Sequence, residues 1–262
     1  MEYFKNNVII MTIIATLFTF LITTLGSALV FFFKKINKNI LDAMLGISAG
    51  VMISASFFSL LNPAIIMSNN LGLTSWLVLL IGFTLGGLLL YITGLIFDRK
   101  MSHNKKKLNL KRCIMLFFSI TIHNIPEGMA IGVAFASTIY GIEGATIEAA
   151  IILALGIGIQ NFPEGSAVSL PLRREGLSRF KSFLFGSLSG LVEIFSGVLG
   201  ALIVMKIRYI LPYLLSFAAG AMIYVVVEEL IPESQTNKNK DIMALFTLIG
   251  FSIMMILDVA LG

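Results

Sequence analysis

Residues 122–132 read IHNIPEGMAIG, and residues 159–169 read IQNFPEGSAVS. Six of the eleven aligned positions are identical, among them Asn, Pro, Glu and Gly. These are poor choices for a lipid-facing helix. A carboxylate at mid-bilayer costs roughly 2.5–3.5 kcal/mol on an insertion scale, and Pro removes a backbone donor. Yet both copies lie inside long apolar runs. A polar motif repeated in such surroundings predicts a buried site shared by two helices.

The runs themselves set the fold class. The chain has 262 residues, 57% hydrophobic and 13% charged, against roughly 45–50% and about 25% in an average soluble domain. That balance excludes disorder, a nucleic-acid module and almost any soluble enzyme of this length. About 20 apolar residues cross the hydrocarbon core as a helix. Eight such spans are predicted, at 8–33, 40–61, 74–97, 113–138, 147–170, 182–205, 209–230 and 242–261. The runs are continuous rather than alternating, which argues against membrane-spanning strands. The expectation is an all-α, polytopic membrane protein with eight transmembrane helices, forming one integral membrane domain over 1–262. Its first partner is the lipid bilayer.

Charge orients the spans. The connections at 34–39, 98–112 and 171–181 carry three, seven and four Lys or Arg, and Lys238 and Lys240 follow the seventh span. Alternating the sides places 16 of the 19 basic residues on one face. Basic loops stay cytoplasmic, so both termini are expected outside and 98–112 reads as a basic cytoplasmic loop. The usage, rich in Lys, Ile and Asn, is of a bacterial kind and points to the cytoplasmic (inner) membrane. The single cysteine, Cys113, excludes a disulfide framework and a thiolate metal cluster.

The first motif lies in the fourth span and the second in the fifth, which run in opposite directions. That is the pattern of an inverted repeat with a site at the repeat interface. His123 and Glu127 are the eleventh and fifteenth residues of their span, close to the bilayer centre. Gln160 and Glu164 lie in the inner half of theirs, and Glu193 is twelve residues into the sixth span. Three carboxylates thus share one depth with no Lys or Arg beside them. They must be protonated, hydrated, or paired with a cation from outside the chain. His123 and Glu127, spaced i,i+4, share a helix face. Asn124 overlaps it, and Gln160, Asn161 and Glu164 repeat the arrangement. Pro126 and Pro163 free the carbonyls of Ile122 and Ile159, and Gly128 and Gly165 allow close helix approach. The expected result is an imidazole with carboxylate and amide oxygens around one or two divalent ions. A nitrogen and oxygen set without thiolate suits Zn²⁺, Fe²⁺, Mn²⁺, Co²⁺ or Cd²⁺ rather than Cu⁺.

HNIPEG at 123–128 resembles the fourth-helix signature of the ZIP (Zrt/Irt-like) family of divalent metal transporters, and QNFPEG at 160–165 resembles its fifth-helix signature. The eight spans, outside termini and basic loop between spans three and four are similar as well, in the manner of the bacterial GufA-type, ZupT-like branch. The resemblance implies a ZIP-type fold and a two-metal site. One position would use His123, Glu127, Gln160 and Glu164. The other would use Asn124, Glu127, Asn161, Glu164 and Glu193. It also implies elevator-like movement of spans 1, 4, 5 and 6 against a scaffold of spans 2, 3, 7 and 8, often in a homodimer. The cargo would be a divalent metal, zinc first, with no catalytic cofactor. Many members carry His where this chain has Gln160, which weakens the first position for zinc and widens the metal range.

Other features stay open on the sequence. Met52 reads as packing or as a residue approaching the first metal. Glu228 and Glu229 read as an interfacial pair or as a release station. His103 reads as an ordinary loop residue or a metal contact, and Asp258 as interfacial. The Gly46/Gly50, Gly82/Gly86 and Gly186/Gly190 pairs mark close helix packing or dimer contacts. An intramembrane hydrolase lacks its motifs here: there is no H-E-x-x-H and only two histidines are present. The rival is a proton- or sodium-coupled carrier of a small organic solute, using the same carboxylates.

Overall fold

The computed structural model describes residues 2–32, 37–101, 108–140, 145–174 and 176–261; side chains at 2–6, 97–101, 108–116, 118, 119, 123, 174, 208 and 261 lie outside that description. His103 and the centre of the basic loop fall outside the described residues, as do the side chains of Cys113 and His123.

The described residues are helical, without strands, and string into eight rods. Rod one is α1 (Glu2–Phe32). Rod two is α2 (Lys38–Ala55), a π-helical turn at Ser56–Leu61, then α3 (Asn62–Asn70). Rods three to six are α4 (Ser75–Met101), α5 (Leu108–Ser137), α6 (Ile147–Arg174) and α7 (Arg179–Lys206). Rod seven is α8 (Leu211–Val225), a π-helical turn at Val226–Leu230 and α9 (Ile231–Ser234). Rod eight is α10 (Lys240–Leu261). Seven rods are long and apolar enough to cross a membrane on their described residues. The remaining one, α5, runs for 30 residues. The protein is integral to the membrane.

Several boundaries differ from the sequence limits. Helical hydrogen bonding continues where apolarity stops, so α1 begins at Glu2, α4 reaches Met101, and α6 reaches Arg174. Rods two and seven run beyond 61 and 230 for a different reason. Pro63 and Pro232 sit in the first turns of α3 and α9, where a missing N–H is tolerated. Just before each proline the ladder widens by one residue. The Asn62 N–H bonds the Phe57 carbonyl and the Ile231 N–H bonds the Val226 carbonyl. The two rods therefore carry matching π-turns, a second repeated pair that residue identity does not reveal.

The rods pack as two groups. In one, α5 lies on α7, while α1 lies on both α6 and α7; in the other, α2 lies on α10 and α4 on α8. The groups meet where α2 touches α6 and α5 touches α8. Backbones within each group approach so closely that side chains are excluded. A Cβ at Gly50 would overlap the Thr247 carbonyl oxygen, and one at Gly86 the Phe217 carbonyl oxygen. Gly186 and Gly190 likewise face Ser27 and Thr23 of α1. The glycine pairs read as packing or dimer contacts are filled by the chain's own helices.

Of the seven rods long and apolar enough to cross a membrane on their described residues, α6 is the most enclosed, whereas α4 and α10 turn most of their surface outward. Leu80, Leu85, Leu88 and Ile92 of α4 are about half exposed, as expected of side chains that meet lipid. Predicted same-side loops also meet. Asn237 donates to Asp42 Oδ2 at 2.8 Å and to Asn39 Oδ1 at 2.9 Å, tying the end of rod seven to the start of rod two. On the opposite face, the Tyr140 hydroxyl donates to the Val204 carbonyl at 2.6 Å.

Candidate metal centre

Both motifs lie in the middle of the bundle, and α5 and α6 run through Pro126 and Pro163 without a break. Asn124, Glu127, Gln160, Asn161, Glu164 and Glu193 are all buried. The glycine after each motif glutamate brings in a neighbouring backbone. A Cβ at Gly128 would strike Glu193 O and Ser196 Oγ of α7, and one at Gly165 would strike Thr23 O of α1. The sequence therefore folds each PEG triplet against a different helix, and the two triplets face a common centre.

The hydrogen bonds there have one sense. Gln160 Nε2 donates to Glu127 Oε1 at 2.5 Å. Asn161 Nδ2 donates to Glu193 Oε1 at 2.8 Å. Asn124 Nδ2 donates to the Ser189 carbonyl at 3.0 Å. Every motif amide thus has its NH₂ end tied. Their oxygens, Asn124 Oδ1, Gln160 Oε1 and Asn161 Oδ1, are buried without a hydrogen-bond partner, as are Glu127 Oε2 and Glu164 Oε1. Leaving one such acceptor unmatched costs about 1–3 kcal/mol, and more for a charged group. Five such acceptors lie on the two motif helices, and a bound cation would satisfy those it reached.

Electrostatics agree. Glu127 is within electrostatic reach of Glu164 and Glu193, and Glu164 of Glu193 and Glu229. Among the described residues, no three or more His, Cys, Asp or Glu side chains form a metal-holding group by themselves. His123 lies on α5 one turn before Glu127, with its side chain outside the described residues.

The pathway candidates separate. Met52 is fully buried in α2, one turn beyond Ser48, whose hydroxyl donates to the Gln160 carbonyl at 3.1 Å. Glu228 is exposed in the second π-turn, while Glu229 is half-buried there and faces Glu164 electrostatically. The two glutamates are therefore not an equivalent pair. Asp258, read as interfacial, is partly buried and accepts a 2.6 Å bond from Ser59 of the first π-turn.

Sequence reasoning missed Thr19 of α1, which donates to Glu193 Oε2. Its signal was present. Thr12, Thr16, Thr19, Thr23 and Ser27 recur every three or four residues in an apolar helix and are all fully buried, which marks the face turned towards α6 and α7.

A membrane-spanning bundle that buries carboxylates and unpartnered amide oxygens fits the class of carriers for divalent metal ions. Residues 98–258 match the family model described as ZIP Zinc transporter. The chain is 37% identical to Zinc transporter ZIP11 of Bos taurus, covering 95% of this chain and 97% of that one. It is 35% identical to Zinc transporter ZIPB of Bordetella bronchiseptica, over 93% and 79% of the two chains. It is 30% identical to Zinc transporter GufA of Myxococcus xanthus, over 95% and 98%. The chain belongs to the ZIP family, whose members are metal transporters and not enzymes.

Proposed function

We propose that the protein carries divalent transition metal ions, zinc foremost and with Fe²⁺, Mn²⁺, Cd²⁺ and Co²⁺ as further cargo, into the cytoplasm across a bacterial inner membrane, with both termini outside. The observation that carries this is the orientation of the three motif amides, donor end tied and oxygen end free. A solute carrier needs carboxylates but has no use for three amides fixed with their oxygens buried and unpartnered.

In this reading His123, Glu127, Gln160 and Glu164 hold one ion. Asn124, Glu127, Asn161, Glu164 and Glu193 hold a second, with Glu127 and Glu164 bridging. The oxygens replace water around the ion, and the carboxylates offset its charge. Glu229, next in line from Glu164, receives the ion on its way inward, and exposed Glu228 passes it to water. Met52 lies one turn from the Ser48 contact and bounds the path. Rods 1, 4, 5 and 6 move as one unit against rods 2, 3, 7 and 8. The packing groups support this division, because the candidate ligands all sit on α5, α6 and α7. A homodimer, which the family resemblance implies, would use faces other than the three glycine pairs.

The test is metal flux into proteoliposomes holding a metal-sensitive dye. Wild-type protein is expected to admit zinc and other transition ions, and Glu127→Ala and Glu164→Ala to admit none. Normal flux through either variant, eluting as folded protein, would overturn the assignment.

A further inference from the structure

Glu193 has both oxygens engaged. Asn161 donates to Oε1 at 2.8 Å, and the Thr19 hydroxyl donates to Oε2. Thr19 is fully buried, and its hydroxyl also stands 3.0 Å from the Thr16 carbonyl of its own helix. One hydroxyl carries one proton, so the two acceptors compete, and a carboxylate is the stronger. Its neighbours on the stripe behave differently. Thr16 donates to Thr12 O at 2.8 Å and Thr23 to Thr19 O at 3.1 Å, as hydroxyls in apolar helices usually do.

The position of Thr19 is fixed from below. One turn on, Thr23 O lies where a side chain at Gly165 would be, and the Ser27 hydroxyl stands 2.9 Å from the Thr23 carbonyl and 3.1 Å from the Gly165 carbonyl. The register of α1 is thus locked to the helix that carries the second motif. Thr19 reaches Glu193 because of that lock.

We propose that Thr19 is a positioning residue for metal binding. From α1 it holds the Glu193 carboxylate, which in turn fixes the Asn161 amide with its oxygen towards the ion. A carboxylate oxygen has two lone pairs. Each Glu193 oxygen therefore keeps one for a cation after accepting its hydrogen bond. Partners that orient a ligating carboxylate are worth about 10–100-fold in metal affinity. The inference rests on the reading of Glu193 as a ligand.

The test uses the full chain, with zinc binding measured by equilibrium dialysis in detergent and zinc flux measured in proteoliposomes. Thr19→Val, which keeps shape and removes the donor, is expected to weaken zinc binding about tenfold or more. The flux KM should rise in step, with maximal rate changed far less. Thr19→Ser should restore both. Thr23→Val, which removes a bond confined to its own helix, should keep wild-type values. Thr19→Ala is read alongside, so that a folding defect in one variant leaves the other to decide. Wild-type affinity in a folded Thr19→Val or Thr19→Ala protein overturns the proposal, as does a Thr19→Ser protein as weak as Thr19→Val. Wild-type zinc binding by Glu193→Ala instead overturns the reading of Glu193 on which the inference stands.

Discussion

Replacing Gln160 by Leu separates the two tasks of the motif amide. The residue donates to Glu127 Oε1 at 2.5 Å through Nε2 and offers Oε1 unpartnered. Leucine has nearly the same volume, so packing changes little. The Ser48 bond goes to the main-chain carbonyl of residue 160 and survives the substitution. Without metal, the variant loses one hydrogen bond to a carboxylate, about 1.5–3 kcal/mol, partly offset by removal of the unmatched Gln160 Oε1. Glu127 is then left with both oxygens unmatched. With metal, the loss has another form. Zinc at 100 times its dissociation constant stabilises the folded protein by about 2.7 kcal/mol. An affinity 10- to 100-fold weaker lowers that to between about 1.4 and about 0.4 kcal/mol at the same zinc concentration. Thermal unfolding in detergent, once with chelator and once with zinc, reads both effects. The variant should melt below wild type with chelator, and the gap should widen when zinc is added. A zinc-dependent rise equal to that of wild type would refute the oxygen as a ligand. Equal melting in chelator would refute the role of the Glu127 bond.

Gln160→His should narrow the metal range, because imidazole suits zinc better than an amide oxygen does; competition of zinc against manganese uptake measures it. Gly165→Ala places a methyl group on Thr23 O and Ser27 Oγ and should lower stability by about 1–3 kcal/mol through overpacking, read by thermal melting. Ser48→Ala removes a bond between the two packing groups. It should change the maximal rate of zinc flux by a few-fold with little change in KM, and a changed KM alone would contradict that. Lowering the pH should weaken zinc binding, since protons compete for the same carboxylates and imidazole; zinc titrations at stepped pH test the sign.

Much of this was legible in the sequence, because membrane solvent leaves few choices. Apolar length fixed the eight rods, and the misfit of Asn, Pro, Glu and Gly within two of them located the centre. What stayed hidden depended on partners in other rods. Nothing local to Thr19 says that it meets Glu193, since a threonine satisfied by its own helix has the same sequence. The π-turns were equally silent. They follow from prolines at 63 and 232, but the flanking residues share little beyond those prolines. Rod ends were misjudged wherever a helix outlasted its apolar stretch, as at Asn62–Asn70. Glu228 and Glu229, adjacent in sequence, parted because successive helix positions point about 100° apart, one outward and one towards Glu164.

The placement of the oxygens bears on how an ion could be moved without being lost. The unpartnered acceptors of the two motifs belong to α5 and α6, and the hydrogen bonds that orient the site's side chains run from donors on α1, α5 and α6 to acceptors on α5 and α7. All four helices pack in one group. The other group reaches the motifs through the Ser48 hydroxyl, which donates to the main-chain carbonyl of residue 160, and through Glu229, which lies within electrostatic reach of Glu164. A neutral hydrogen bond of that kind is worth about 0.5–1.5 kcal/mol net. Dismantling the donor set would instead strand several buried acceptors at about 1–3 kcal/mol or more each. The hydrogen bonds inside the group that carries the motifs are therefore costlier to break than the one that joins it to the other group. An ion held by α5, α6 and α7 would travel with its ligands, and access would alternate around it.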